Sequence, residues 1–232
     1  MLRTYIHSQS IGLFCFGLAA CGAGPDETAY EQTAQGLGAI TTDPNGGEIN
    51  ALFDAVVAAR GNVPDGLLRE SAERLSGTRD ELVIDLQLSS ANVHIEQHGR
   101  VDGEMFKLDI VRKSDFETAL LAEDITEING TSELTIKAEY KDKTNGEKDK
   151  LAFDYDARYR DVLVREDGAV IGGKIEYDVK AKLMEKTDDT KIKESWKIDA
   201  LVEFDGSGEP SLTLDGRHKY RIKSHGEVAD DS

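Results

Sequence analysis

Leu151-Ala152-Phe153-Asp154-Tyr155-Asp156-Ala157-Arg158-Tyr159-Arg160 decides the fold class. Leu151, Phe153, Tyr155, Ala157 and Tyr159 fall on one side of an extended chain, and Asp154, Asp156, Arg158 and Arg160 on the other. Side chains along a strand alternate with a period of two, so the run reads as a strand buried on one face only. A helix would scatter the same five apolar residues around its circumference.

Working outward, the same period recurs. It runs through Leu134 to Tyr140, Ile175 to Leu183, Trp196 to Phe204 and Leu212 to Ile222. It begins earlier, at Leu82 to Leu88, Val93 to Ile95 and Phe106 to Ile110. The stretch 114–130 is less regular and reads as a loop with a helical turn near Phe116 to Leu121. Thr144-Asn145-Gly146, Glu166-Asp167-Gly168, Lys186 to Asp189 and Asp205 to Pro210 supply turn chemistry between the runs. Strands joined by short turns pair as antiparallel neighbours.

Upstream of residue 80 the period changes to that of a helix. Ile49, Leu52, Phe53, Val56 and Val57 form one stripe within 48–60, closed by Gly61; Leu67, Leu68, Ala72 and Leu75 form another within 64–76, closed by Gly77. The expectation is an α+β domain, mainly β. It is an antiparallel meander of about eight strands, barrel-like if the sheet closes, with two short N-terminal helices packed on it. This domain spans 47–226, and 227–232 read as a frayed tail. Residues 21–46, CGAGPDETAYEQTAQGLGAITTDPNG, show neither period and read as a flexible tether.

The first twenty residues belong to targeting rather than to the fold. Arg3 precedes the apolar run Ile11 to Ala20, which is too short to span a bilayer and has the length of a secretory core. It ends in Leu18-Ala19-Ala20-Cys21, followed by Gly22. This resembles the lipobox of bacterial lipoproteins. The resemblance implies cleavage before Cys21, acylation of its thiol and N-terminus, and a place in the cell envelope. With a residue other than Asp after the cysteine, it implies the outer membrane where the cell has one. Two or three acyl chains anchor a protein without any spanning helix. The resemblance ends near residue 22 and says nothing of the domain.

The chain carries 28 basic and 45 acidic side chains, a net charge of −17. Such a balance argues against nucleic acid as a partner, because phosphate binding needs cationic surface. Cys15 leaves with the signal and Cys21 takes lipid, so the domain holds no thiol for a disulfide, a nucleophile or a metal. No cofactor motif is present: GxSxG, HExxH, Walker A and dinucleotide fingerprints are all missing.

His94-x-Glu96-x-His98 puts three ligand types on one strand face and is a weak candidate for a metal. Asp205 to Glu209 and Asp188-Asp189 are weaker calcium candidates. His218 falls on the apolar face and could orient a ligand or serve a hydrolase. That face also carries Tyr140, Tyr155, Tyr159, Tyr177 and Tyr220, together with Ala138, Ala157, Ala181, Ala200 and Gly216. Small residues on successive strands suggest a trough, to be filled by the helices, by tight curvature or by an apolar ligand. The domain is therefore expected to be non-catalytic. The leading expectation is a structural or partner-binding envelope protein; the alternative binds a lipid-like molecule between the tyrosines.

Overall fold

The computed structural model describes residues 25–42, 80–88, 92–102, 106–141, 148–186, 191–223 and 226–231. Among them one helix, α1 (Glu27–Thr42), precedes ten strands. These are β1 (Asp80–Leu88), β2 (Asn92–Asp102), β3 (Phe106–Leu120), β4 (Ile125–Lys141), β5 (Lys148–Arg165), β6 (Val170–Lys186), β7 (Lys191–Phe204), β8 (Ser211–Leu214), β9 (His218–Ile222) and β10 (Val228–Asp230). They form one antiparallel sheet whose strand order is the chain order, β1 to β10.

Three expectations need correction. The sheet is not closed into a barrel: β1 pairs with β2 and β10 with β9, and the two edges do not meet. Closure would need long ladders on both edges, but β8, β9 and β10 shrink to 4, 5 and 3 residues. The described strands number ten rather than about eight. The two additions come from splitting Leu212 to Ile222 at a turn and from Val228–Asp230, which pairs with β9 where a frayed tail was expected. Two packed helices were also expected, and among the described residues there is one. The expected helices at 48–60 and 64–76 lie outside the described residues. The helix that is present occupies 27–42, inside the stretch read as a tether.

α1 starts on Asp26, whose Oδ1 accepts the Ala29 N–H at 2.9 Å and caps the first turn. Its buried positions are Ala29, Tyr30, Thr33, Ala34, Leu37, Gly38 and Thr41, a spacing of three and four. Apart from Tyr30 and Leu37 the stripe is built from small and polar residues, so a search for apolar period passes over it. Its small size permits close contact. A Cβ on Gly38 would meet Val228 at 2.5 Å and the Gly226 carbonyl at 2.6 Å. The helix packs on β7, β8, β9 and β10.

The long strands bend where bulges interrupt their register, at Ile128/Gly130 in β4 and at Arg160/Leu163 in β5. Asn129 Oδ1 accepts the Asp161 N–H at 2.9 Å and ties the two irregularities together. Asp161 has φ 50° and Gly173, on β6, has φ 94°. Bulges raise local twist and coil a sheet around one of its faces. Here that face holds the core: Phe116, Ile128, Tyr155, Tyr159, Val162, Ile175, Tyr177, Val179, Ile198 and Leu212 are all buried. Asn129-Gly130-Thr131, which has the composition of a turn, is thus a bulge within a strand.

Candidate functional site

Cross-strand register shows how the apolar face is assembled. Ala157 and Ala200 stand directly opposite Tyr177 on its two sides. Ala181 stands between Phe153 and Trp196, and Ala138 between Leu108 and Leu151. Each of these small residues faces a large one, so they do not line up as a continuous trough. Gly216 leaves the face altogether: it sits in the turn between β8 and β9 with φ 67°.

The rings interlock. Tyr155 meets Tyr177 edge-to-face at 5.2 Å and Phe153 at 6.5 Å, and Phe116 meets Tyr159 edge-to-face at 4.9 Å. These are the arrangements the aromatic quadrupole favours. The outcome is a small buried aromatic cluster on β3, β5 and β6 that contains Tyr155, Tyr159 and Tyr177. Tyr220 is buried separately on β9, and Tyr140 is half-buried on β4. Burial raises the Tyr220 phenol above its ordinary range, and Glu27, Glu31 and Asp230 raise it further.

Polar groups are set into this apolar face. Arg112 is only 3% exposed, and its Nη2 donates to the Tyr155 hydroxyl at 3.3 Å. Ser114 and Ser132 pair directly across β3 and β4, with their hydroxyls 2.9 Å apart. Among the described residues, the buried Tyr159 hydroxyl has no hydrogen-bond partner. An unpaired buried hydroxyl costs about 1–3 kcal/mol. Arg112, Ser114 and Ser132 were passed over in the sequence because polar residues break an apolar alternation. Extending the period from Phe106, Leu108 and Ile110 by two residues at a time would have placed Arg112, Ser114 and Phe116 on the inner face.

His218 stands apart from the cluster. Its ring stacks on Tyr30 of α1, with centroids 3.8 Å apart and planes inclined by 21°, and its Nδ1 lies 3.8 Å from Glu27. The Tyr30 hydroxyl donates to Asp215 Oδ2 at 2.7 Å, and this bond to a carboxylate raises its pKa above the ordinary phenol value. Trp196 Nε1 donates to Thr33 Oγ1 at 3.1 Å. These contacts dock a helix.

His94, Glu96 and His98 all lie on the outer face of β2, where Glu96 and His98 engage each other and His94 turns to a different partner. His94 Nδ1 is 2.6 Å from Asp115, while Glu96 takes His98 at 3.2 Å and Lys113 at 3.0 Å. His98 and Lys113 hold the Glu96 carboxyl below its usual pKa. Among the described residues no three His, Cys, Asp or Glu side chains gather around a common point. In the Asp205 to Glu209 loop, Asp205 Oδ1 accepts the Ser207 N–H at 2.8 Å, which fixes a turn. Asp188-Asp189 and Cys21 lie outside the described residues.

Compared with protein-family models, with curated proteins and with solved structures, the chain matches none. Functional reading therefore rests on the geometry above.

Proposed function

We propose that this domain is a non-catalytic binding protein, held in a cell envelope by lipid on Cys21, whose inner face takes a lipid-like or other apolar molecule. The observation that carries the reading is the aromatic cluster of Phe116, Tyr155, Tyr159 and Tyr177 with a buried, unpartnered hydroxyl at Tyr159. Apolar walls with a few inward polar groups are the usual composition of a small-molecule site. An ester or carboxylate oxygen of an amphiphile would supply the acceptor that Tyr159 lacks. The anchor is supported by Leu18-Ala19-Ala20-Cys21 and would hold the domain beside a membrane able to supply such a ligand.

Native mass spectrometry of the protein taken from its own envelope tests this. A co-purifying apolar adduct is expected, and Ala157→Phe, which adds a ring beside Tyr177, should abolish it. A wild-type protein free of adduct that also fails to take up a fluorescent fatty acid would overturn the reading. The intact mass of the extracted protein tests the anchor independently, with an acylated chain beginning at Cys21 as the expected result.

A second reading is favoured by α1, whose buried stripe seals the inner face over β7 to β10. On that reading the domain is a structural or partner-binding envelope protein with no small ligand. The same adduct measurement separates the two.

A further inference from the structure

The outer face of the sheet carries a groove that the apolar reading does not use. It has a volume of about 750 Å³ and runs across β2 to β7 near their β2–β3 and β4–β5 ends. Two rows of outward side chains flank it. Across β4 to β7 the first row is Glu139, Lys150, Met184 and Lys193, each directly opposite the next. The second is Lys137, Ala152, Lys182 and Ser195 in the same strands. Four lysines thus stand in these rows beside the neutral Ala152, Met184 and Ser195 and the carboxylate Glu139, while Asp102, Asp109 and Glu194 also line the groove.

Glu139 is already committed. Lys148 and Lys150 each approach it to 2.6 Å. At the β2–β3 end, Asp102 is taken by Lys107 at 2.7 Å and Arg100 at 3.7 Å. Among the described residues, Lys137, Lys182 and Lys193 have no acidic partner within 4.0 Å, and all three are exposed. This is unexpected in a chain where acids outnumber bases 45 to 28.

The explanation is segregation along the strands. Four residues further along β4, the row Glu133, Asp156, Asp178 and Asp199 places four carboxylates directly opposite one another. That row takes its own counterions, with Lys180 at 3.4 Å from Asp156 and Lys197 at 2.9 Å from Asp178. A solvated face of mixed charge has no reason to gather like charges in rows, since like charges directly opposite are destabilising.

We infer that the groove between these rows binds a phosphate-bearing anion through Lys137, Lys182 and Lys193, at a site independent of the inner face. A lysine ammonium is a point-charge phosphate ligand. Basic side chains outnumber acidic ones along the groove, six to four, which biases its field toward an anion. The volume is in the range of small-molecule sites, about 300–1,000 Å³. Lys137 and Lys182 are two strand spacings apart, about 10 Å, which suits long side chains converging on a phosphate group from opposite sides. The phosphate can come from a soluble phosphoester or from a phospholipid headgroup.

Calorimetry with inorganic pyrophosphate and co-sedimentation with phosphatidic acid vesicles, both on the full chain at low salt, distinguish the sources. Saturable pyrophosphate binding marks a soluble phosphoester site; sedimentation with vesicles alone marks a headgroup site. In either case K137A/K182A/K193A should weaken binding at least about tenfold. K174A, whose lysine pairs with Glu176 outside the groove, should bind as wild type does. The milder K182Q variant provides a second reading, with a partial loss expected. If neither probe binds, or if the triple variant binds both as the wild type does, the inference is wrong.

Discussion

The Tyr30 ring lies on the His218 imidazole with 3.8 Å between centroids, joining the first ordered element of the described chain to its ninth strand. The same tyrosine's hydroxyl holds Asp215 at 2.7 Å, so one side chain grips the β8–β9 turn from two directions. Tyr30→Phe keeps the stack and removes the bond to the carboxylate. A loss of roughly 1–2 kcal/mol is expected in urea unfolding. Tyr30→Ala removes both and should cost roughly 3–5 kcal/mol. Equal transition midpoints for wild type and Tyr30→Ala would show that α1 is not docked in solution.

Trp196 is the single tryptophan, and its indole N–H donates to Thr33 on α1. Its fluorescence therefore reports helix docking directly. Thr33→Val leaves the indole N–H without this partner and should cost about 1 kcal/mol, with a change in emission. Undocking of α1 by Tyr30→Ala should shift emission to the red before the sheet itself unfolds. Coincident loss of fluorescence and of far-ultraviolet β signal in that variant would contradict the prediction.

Gly173 has φ 94°, and a Cβ there would collide with the Asp161 carbonyl and with Val162 Cα. Gly208 has φ 82° but open space around it. Gly208→Ala should cost about 1 kcal/mol, the strain of a left-handed alanine alone. Gly173→Ala adds a backbone clash at the bulge and should cost roughly 3 kcal/mol or more. Chemical denaturation of the two variants side by side measures the difference.

Lys148 and Lys150 hold the Glu139 carboxyl down from its usual value of 4.5 to about 2. Because the folded value is depressed, the associated stability is fully present above pH 4.5 and is lost as pH falls through about 2. Carboxyl NMR titration should place Glu139 near 2 in the wild type. Lys148→Ala combined with Lys150→Ala should return it toward 4.5, and an unchanged midpoint would exclude the lysines as the cause.

The long strands could be read from the sequence because β5, β6 and β7 bury aliphatic and aromatic residues at every second position. Where the inner face turns polar, the reading failed. Arg112, Ser114, Thr126 and Ser132 are buried, so 114–130 lost its alternation and concealed the end of β3 and the start of β4. Bulges at Gly130 and Asp161 shift the phase, which moves Val162 and Val164 inward out of sequence with Tyr159. The β8–β9 turn was missed although Asp215-Gly216 is a strong hairpin signal. Alternation alone carries Gly216 along as an inward residue of one long strand. Among the tyrosines of the apolar face, period alone puts those of β5 and β6 on one side, and Tyr155 and Tyr177 meet there edge-to-face. Their contacts, and the lysine rows on the other face, depend on register, which alternation within a single strand does not contain.

Strand order equal to chain order has a consequence for how the molecule is made. Each strand's partner is the one synthesised just before it, so the sheet can zip hairpin by hairpin with short loop closures. Helix α1 is the exception. It is the earliest described element, yet it packs on β7 to β10, and Tyr30 waits across 185 residues for Asp215. The helix is therefore the last piece to find its seat, and a chain truncated before β8 would leave it only the β7 part of that seat. Docking of α1 then acts as a completion signal: it distinguishes a finished sheet from an unfinished one, and until it occurs the β7 to β10 end of the core lacks its cover.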